Sequence, residues 1–272
     1  MIATYAQSTE RHLSRSMFVV LLTVLVFSLA LLCGCSSDED DEWAARSQEP
    51  SPYYDAHYFS SSNGRLSYRG SGSSSKTGVD VSDHQGDIDW DAVAADGIDF
   101  AFIRVGYRGT TEGYLYPDST FVYNINAAQT AGLDCGVYFF SQAKTVEEAH
   151  EEAAFVMRQI APYELQYPVV FDYEAHGDAR TANVDDETVT ACARAFADDL
   201  QSAGYTVMLY GNYYDLERMN LDELSDLDIW FAEYDDRPSY TRRFTIWQYT
   251  SEGTVDGIGG GVDLNLDLVS SD

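Results

Sequence analysis

Short apolar runs alternate with helical patterns over residues 77–210, and this alternation predicts strands separated by helices. The predicted strands lie at residues 77–81, 100–107, 135–140, 169–173 and 206–210. The predicted helices lie at residues 88–97, 119–131, 145–160 and 185–203. Asp89 is the expected N-cap of the first helix, and Thr145 is the expected start of the third. Regular alternation of this kind is typical of βαβ units and a parallel sheet.

The pattern changes after residue 210. Three more strands are predicted at residues 228–233, 244–249 and 261–265, with little helical sequence between them. Eight strands favour an α/β fold, a modified (β/α)8-like barrel that lacks its last helices. An open doubly wound sheet is the alternative. No G-x-G-x-x-G fingerprint follows any predicted strand, which disfavours that alternative.

The N-terminal segment contains an unbroken apolar run, Met17–Leu32, after a polar stretch with Arg11 and Arg15. The run is somewhat shorter than the roughly 20 residues of a membrane span and fits the core of a signal peptide. It ends in Leu32-Cys33-Gly34-Cys35, which resembles the lipobox of bacterial lipoproteins, with Cys35 as the lipidated residue.

We therefore expect residues 1–35 to be a lipoprotein-type signal segment. An uncleaved signal-anchor and ordinary secretion are the alternatives. All three place the rest of the chain outside the cytoplasm, and the first predicts a bacterial cell membrane lipoprotein held by its N-terminal lipid.

Residues 36–75 differ in composition from the rest of the chain. They begin with the acidic run DEDDE at 38–42 and end in the Ser/Gly-rich stretch 70–75. No hydrophobic period is visible between these two stretches. The segment is predicted to be a flexible linker, which leaves 76–272 as the barrel domain.

The chain carries 45 acidic and 16 basic residues, a formal charge of −29. A charge of this sign argues against nucleic acid as a partner, since no basic patch is available to neutralise phosphates. Two cysteines, Cys135 and Cys192, follow the signal segment. An oxidising compartment permits a disulfide between them, but their places in a strand and a helix favour two separate buried thiols.

Two acids close the fourth predicted strand, as Asp172-Tyr173-Glu174. Residues i and i+2 of a strand point to the same face, so the two carboxyls are expected roughly 6–7 Å apart. Paired carboxyls are the usual equipment of glycoside hydrolysis. The alternative is a strand end that runs into an acidic loop.

Other polar and aromatic residues lie in or near the ends of the predicted strands, where barrel enzymes place their sites. We expect acids of strands one, four and eight to meet at one mouth of the barrel. The candidate substrate-binding residues are Asp80, Asp263, Tyr138, Tyr210, Trp230 and Gln248. Alternatively, Asp80 caps the turn 82–86, Asp263 pairs with Arg104, and the three aromatic residues fill the barrel core.

Four motifs resemble those of the family 25 glycoside hydrolases, the Chalaropsis-type lysozymes. They are Asp80–Trp90 (DVSDHQGDIDW), Asp172–Glu174 (DYE), Trp247–Tyr249 (WQY) and Val262–Asn265 (VDLN). Their order and spacing agree with the family pattern across 76–272.

The resemblance implies a barrel of eight strands and about five helices, (β/α)5(β)3. It implies cleavage of the β-1,4 bond between N-acetylmuramic acid and N-acetylglucosamine, with peptidoglycan glycan strands as the partner and no metal or organic cofactor. By position, Glu174 corresponds to the general acid and Asp172 to its partner carboxylate. Asp80 and Asp263 correspond to other acids of the groove.

Two other functions stay open at this point. A chitinase-like N-acetylhexosaminide hydrolase is disfavoured because the longer D-x-x-D-x-D-x-E run is absent before Glu174. A non-catalytic cell-wall-binding barrel is disfavoured because both carboxyls are present. The route of hydrolysis is open as well: Asp172 could activate water for inversion, or orient the substrate's own acetamido group.

Overall fold

The computed structural model describes residues 50–70, 73–174 and 180–268, all within one compact unit. The strands are β1 (Phe59–Ser62), β2 (Arg65–Gly70), β3 (Ser73–Ser74), β4 (Lys76–Val81), β5 (Phe100–Arg108), β6 (Leu115–Pro117), β7 (Asp134–Ser141), β8 (Val169–Tyr173), β9 (Val207–Gly211), β10 (Asp228–Ala232), β11 (Ile246–Gly253) and β12 (Val262–Asp267). The helices are α1 (Trp90–Ala95), α2 (Phe121–Thr130), α3 (Val146–Ile160), α4 (Asp186–Ser202) and α5 (Tyr213–Glu217). None of these helices is both long and apolar enough to cross a membrane.

Eight of the strands close into a barrel in the order β4-β5-β7-β8-β9-β10-β11-β12, because β4 pairs with both β5 and β12. This confirms the predicted eight-stranded α/β barrel with about five helices. The short strand β6, which pairs with β5 outside the barrel, and helix α5 were not predicted.

The last strand differs in direction from the prediction. β12 runs antiparallel to both β11 and β4, whereas each of the other neighbouring pairs in the barrel is parallel. Asp263 therefore lies near the start of its strand rather than at its end. The reversal still places it opposite Asp80, at the carboxyl end of β4.

Side-chain caps set the starts of the helices. Asp89 accepts a hydrogen bond from the N–H of Ala92 at 3.2 Å, and Thr145 accepts one from Glu148 at 3.3 Å. A side-chain oxygen here satisfies one of the N–H groups that have no partner within the helix. The predicted starts at Asp89 and Thr145 are therefore confirmed.

An apolar layer fills the barrel below its mouth. It consists of inward-facing side chains from five strands: Phe100, Phe102, Val170, Met208, Trp230 and Ile246. The rings of Phe102 and Trp230 stack with centroids 4.5 Å apart. Space for Phe102 comes from Gly136, where an added Cβ would lie 2.4 Å from the phenylalanine ring. The layer closes the barrel and gives the mouth a rigid floor.

Residues 56–70 and 73–74 are not the flexible linker that the composition predicts. β1 and β2 form an antiparallel hairpin with β3 beside it. Its turn is Asn63-Gly64, with φ of 53° and 78°, the left-handed pair that tight hairpins require. The prediction of a flexible linker is therefore wrong for residues 56–70 and 73–74, and residues 36–49, 71 and 72 lie outside the described part.

The hairpin and the residues before it cover the outer face of β11, where the barrel has no helix. Phe59 meets the edge of Trp247 at 5.5 Å between ring centroids, and Tyr54 lies 4.9 Å from Phe244. The N–H of Leu66 donates to the hydroxyl of Tyr249 at 3.4 Å. These contacts bury aromatic surface that helices cover elsewhere in the barrel, which explains why residues 50–70 pack against the barrel.

We expect Leu66→Ala to lower the free energy of unfolding by about 2–4 kcal/mol, since Leu66 is 6% exposed. Urea unfolding followed by tryptophan fluorescence measures this change. Ser62→Ala, on an exposed position of β1, is the matched control and should change stability by less than about 0.5 kcal/mol. A Leu66→Ala protein as stable as the wild type would show that the hairpin is not part of the cooperative unit.

Candidate active site

The mouth of the barrel contains a pocket of about 410 Å³, here called the acid pocket. All eight residues predicted as catalytic or substrate-binding line it: Asp80, Tyr138, Asp172, Glu174, Tyr210, Trp230, Gln248 and Asp263. The other lining residues are Ser82, His84, Gln85, Arg104, Phe140 and Tyr234. A wider depression of about 780 Å³ on the outside of the barrel, between α1 and α2, contains none of the predicted residues. Cys35, the predicted lipidation site, lies outside the described residues.

Asp80 lies on the floor of the acid pocket and is 7% exposed. Its Oδ2 accepts hydrogen bonds from the side-chain amides of Gln248 at 2.9 Å and Asn265 at 2.8 Å. Burial raises the pKa of Asp80, and the nearby Asp263 carboxyl raises it further. Asp80 does not cap the following turn, since Ser82 performs that task.

Asp172 and Glu174 lie side by side at the end of β8. Both side chains line the acid pocket; Asp172 is 4% exposed and Glu174 is partly exposed. Burial raises the pKa of Asp172 well above its usual range, and the Glu174 carboxyl adds to this rise. The Asp172 Oδ1 atom has no hydrogen-bond partner among the described residues. The more deeply desolvated member of the pair is therefore Asp172.

Gln248 connects three walls of the acid pocket. Its Oε1 accepts hydrogen bonds from the hydroxyls of Tyr210 at 2.9 Å and Tyr234 at 3.2 Å, while its Nε2 donates to Asp80. The amide is thereby fixed in one orientation, with its nitrogen toward the acid. Tyr234 and Asn265 were not among the predicted site residues, although Asn265 ends the fourth motif.

Asp263 and Arg104 line the same pocket but make different contacts. Arg104 Nε donates to Asp118 at 2.8 Å, and its Nη2 forms an ion pair with Asp83. The alternative in which Arg104 neutralises Asp263 is therefore wrong. Burial raises the pKa of Asp263 to about 6, and Glu174 contributes to the rise. The side chain of His84 is 78% exposed at the rim.

The aromatic residues of the pocket divide between core and wall. Trp230 is 1% exposed and packs between Phe102 and Tyr210, at 4.5 and 4.6 Å between ring centroids. Its Nε1 donates to Asn265 at 2.8 Å. Trp230 thus forms part of the floor, whereas Tyr138 and Tyr210 are only partly buried. Both the core role and the pocket role left open by the sequence apply to Trp230.

One predicted strand-end acid serves a loop instead of the pocket. Glu233 follows β10, is 4% exposed, and accepts hydrogen bonds from both the backbone N–H and the hydroxyl of Ser239. It holds the loop 233–239 in a closed turn. A strand-end position alone therefore does not identify a site residue.

Gln142, directly after β7, is a buried residue that the sequence analysis missed. Its side chain donates to the backbone carbonyl of Glu174 at 3.2 Å and accepts from the hydroxyl of Thr181 at 3.1 Å. Arg180 donates to the backbone carbonyl of Gln142 at 2.8 Å. These bonds hold the chain on both sides of residues 175–179 and thereby position Glu174. Asp80 was predicted as a site residue because it lies near the end of its strand, and the same criterion also selects Gln142.

Cys135 and Cys192 are both buried and unbonded. Burial raises the pKa of each thiol to about 12. The preference for two separate thiols is confirmed, and neither lines the acid pocket.

Comparison with known families agrees with this geometry. The model of glycosyl hydrolases family 25 matches residues 79–258, a span that includes Asp80, Asp172 and Glu174. The chain therefore belongs to family 25 of the glycosyl hydrolases, which confirms the resemblance seen in its motifs.

Individual relatives and structures support the same assignment. The autolytic lysozyme of Clostridium acetobutylicum is 30% identical over 190 residues, an alignment covering 69% of this chain and 54% of that protein. The chain thus spans about half the length of that relative.

Two solved structures superpose on the barrel. A family 25 glycosyl hydrolase from Bacillus anthracis is 27% identical with a TM-score of 0.62, covering 72% of this chain and 90% of that one. The modular autolysin LytC from Streptococcus pneumoniae, solved with a synthetic peptidoglycan ligand, is 26% identical with a TM-score of 0.63. It covers 76% of this chain and 51% of that one.

We expect Asp172→Asn to stabilise the protein at pH 7 by about 1–2 kcal/mol. The folded state holds the Asp172 proton more tightly than the unfolded chain does, because burial raises its pKa above the ordinary 3.8. Wild-type stability is therefore lost as the pH rises above about 3.8, and the neutral amide avoids this loss. Urea midpoints measured from pH 4 to pH 8 should show a gap between variant and wild type that widens with pH.

Asp91→Asn, at an exposed acid in the first turn of α1, is the control and should show no such widening. A constant gap for Asp172→Asn across the range would contradict the raised pKa of the buried carboxyl.

Proposed function

We propose that this protein hydrolyses the β-1,4 bond between N-acetylmuramic acid and N-acetylglucosamine in peptidoglycan. The observation that carries the proposal is the pair of acids Asp172 and Glu174, which line one pocket at the mouth of a family 25 barrel. The proposal is supported by a relative named autolytic lysozyme and by the similar structure of LytC, which was solved with a synthetic peptidoglycan ligand.

Glu174 is proposed as the general acid. It is the more exposed member of the pair, so the glycosidic oxygen can reach it. Two adjacent carboxyls in a desolvated site favour a state in which they share one proton. In the proposed reaction this proton passes to the leaving oxygen through Glu174.

Asp172 is proposed to orient the substrate's acetamido group. Transfer of the shared proton to Glu174 leaves Asp172 as a carboxylate, and its Oδ1 has no protein partner among the described residues. This oxygen can accept the acetamido N–H. The acetamido carbonyl oxygen then bonds to the anomeric carbon as the bond to the leaving oxygen breaks. Water opens the resulting ring, with Glu174 as the base that regains a proton.

The remaining residues of the acid pocket are proposed to bind the sugars on either side of the cleaved bond. Asp80 and Asp263 offer carboxyl oxygens to hydroxyl groups, and Gln248 keeps Asp80 in place. Tyr138 and Tyr210 offer aromatic faces above the floor formed by Trp230. A pocket with these polar and aromatic groups suits an uncharged, hydroxyl-rich ring.

We expect Glu174→Gln to lower the release of reducing ends from purified peptidoglycan at least about a hundredfold, since the amide has no proton to donate. Binding of the variant to peptidoglycan, measured by co-sedimentation, should persist. Glu164→Gln, an exposed acid before β8, is the control and should retain wild-type turnover. Turnover within about threefold of wild type by Glu174→Gln would remove Glu174 from the acid role.

Mass spectrometry of the wild-type products identifies the bond. Reducing-end N-acetylmuramic acid supports the proposal, whereas reducing-end N-acetylglucosamine contradicts it. Cleavage of chitin oligomers in preference to peptidoglycan would favour the chitinase-like alternative. Binding to peptidoglycan with no products from either substrate would favour a non-catalytic wall-binding barrel.

We further propose that the barrel acts outside the cytoplasm, attached to the membrane by a lipid on Cys35. The proposal rests on the apolar run Met17–Leu32 and the lipobox-like Leu32–Cys35 that ends it. Metabolic labelling with palmitate should mark the wild type and be lost in Cys35→Ser, because the thiol is the acceptor. Cys33→Ser is the matched control and should keep the label. Label that survives Cys35→Ser would leave the signal-anchor or secretion alternatives.

A further inference from the structure

A second groove of about 580 Å³, here called the rim groove, lies between the β1–β2 hairpin and the barrel mouth. Hairpin residues Ser61 to Leu66 form one wall, and the loop after β10 with the end of β11 forms the other. The hairpin precedes residue 79, where the family match begins. The β1–β2 hairpin therefore adds this groove to the barrel that the family model matches.

The rim groove adjoins the acid pocket through one residue, Tyr234. Its side chain lines both cavities and is 58% exposed. Its hydroxyl donates to Gln248, whose amide also holds Asp80, so the position of the ring is tied to the acid pocket. A chain molecule bound in the acid pocket can continue past Tyr234 into the rim groove.

The hairpin wall is fixed to the barrel. The Arg65 guanidinium donates to the backbone carbonyls of Asp96 at 2.6 Å and Thr254 at 3.1 Å, and it forms an ion pair with the Asp96 carboxyl. Leu66 is buried against the outer face of β11. The hairpin wall is thus attached to the end of α1, to β11 and to the residue that follows β11. A wall held in place before binding limits the entropy lost when a ligand binds.

We propose that the rim groove binds an N-acetylglucosamine unit of the same glycan strand, beyond the sugars held at Asp172 and Glu174. The inference rests on the proposed hydrolase function and assigns an additional subsite to it. The exposed ring of Tyr234 supplies a flat face for a sugar, which is the packing surface that hydroxylated rings use. The hydroxyl of Ser61 and the carboxyls of Asp236 and Glu252 supply hydrogen-bonding groups.

The charges of the groove favour a neutral sugar over the peptide stems of the wall. Asp235, Asp236 and Glu252 are exposed acids in its lining, and the one lining cation, Arg65, is already paired with Asp96. Free carboxylates of a stem peptide, or the lactyl carboxylate of a bare muramic acid, would be repelled. N-acetylglucosamine has no charge and offers hydroxyl and N–H donors to these carboxylates.

The test compares peptide-free glycan oligomers of two lengths, a tetrasaccharide and an octasaccharide, by the ratio of their kcat/KM values. We expect the wild type to favour the longer oligomer. Asp236→Ala/Glu252→Ala should reduce that ratio about five- to twentyfold, because two hydrogen bonds to the distant sugar are lost. Ser61→Trp, which fills the groove from the exposed face of the hairpin, should reduce it as well. Glu164→Ala, before β8, should leave the ratio unchanged.

The outcomes separate the two proposals. An active wild type whose length ratio is the same in both groove variants overturns the rim subsite and leaves the hydrolase function intact. A reduction seen only with peptide-bearing strands overturns the sugar assignment in favour of a stem peptide. A wild type that cleaves neither oligomer nor peptidoglycan overturns the hydrolase function and the subsite with it.

Discussion

The burial of carboxyl groups at the barrel mouth is the constraint on which the site depends. A desolvated carboxylate is costly unless hydrogen bonds or a proton stabilise it. Asp80 receives two amide hydrogen bonds, from Gln248 on β11 and Asn265 on β12, whereas burial and the Glu174 carboxyl raise the pKa of Asp172 and so favour its protonated form. Because those amides belong to strands at the far end of the chain, Asp80 acquires its partners only when the barrel closes.

Closure of the barrel in turn depends on the apolar layer below the mouth and on the hairpin that packs outside the barrel. The apolar layer around Phe102 and Trp230 gives the acids a floor that cannot relax to admit water. Outside, the β1–β2 hairpin covers Trp247 and Tyr249, where the (β/α)5(β)3 plan has no helices. The same hairpin then projects its turn to the rim and forms a wall beside Tyr234. The β1–β2 hairpin thus covers apolar surface of the barrel and also enlarges the surface next to the acid pocket.

Much of this arrangement follows from local sequence. Residues i and i+2 of a strand face the same side, so Asp172 and Glu174 lie in one pocket, and the positions of Tyr210 and Gln248 in their strands bring them to the same mouth. Two expectations differ from the structure for identifiable reasons. Asp263 reaches the mouth by the reversal of β12, because strand direction is not visible in a short apolar run. The hairpin was missed because Leu66 and Tyr68 are too few to show a period.

The sequence by itself determined the order of the eight barrel strands and of four helices, the DYE pair and the family motifs, since each depends on residues close together in the chain. The tertiary structure decided which carboxyl of the pair is desolvated, which acids pair with Arg104, and which residues hold Asp80. Asp80 and Asn265 are 185 positions apart, and Gln248 is 168 from Asp80. Burial and hydrogen bonding between such distant residues arise only from closure of the barrel, so no local pattern encodes them.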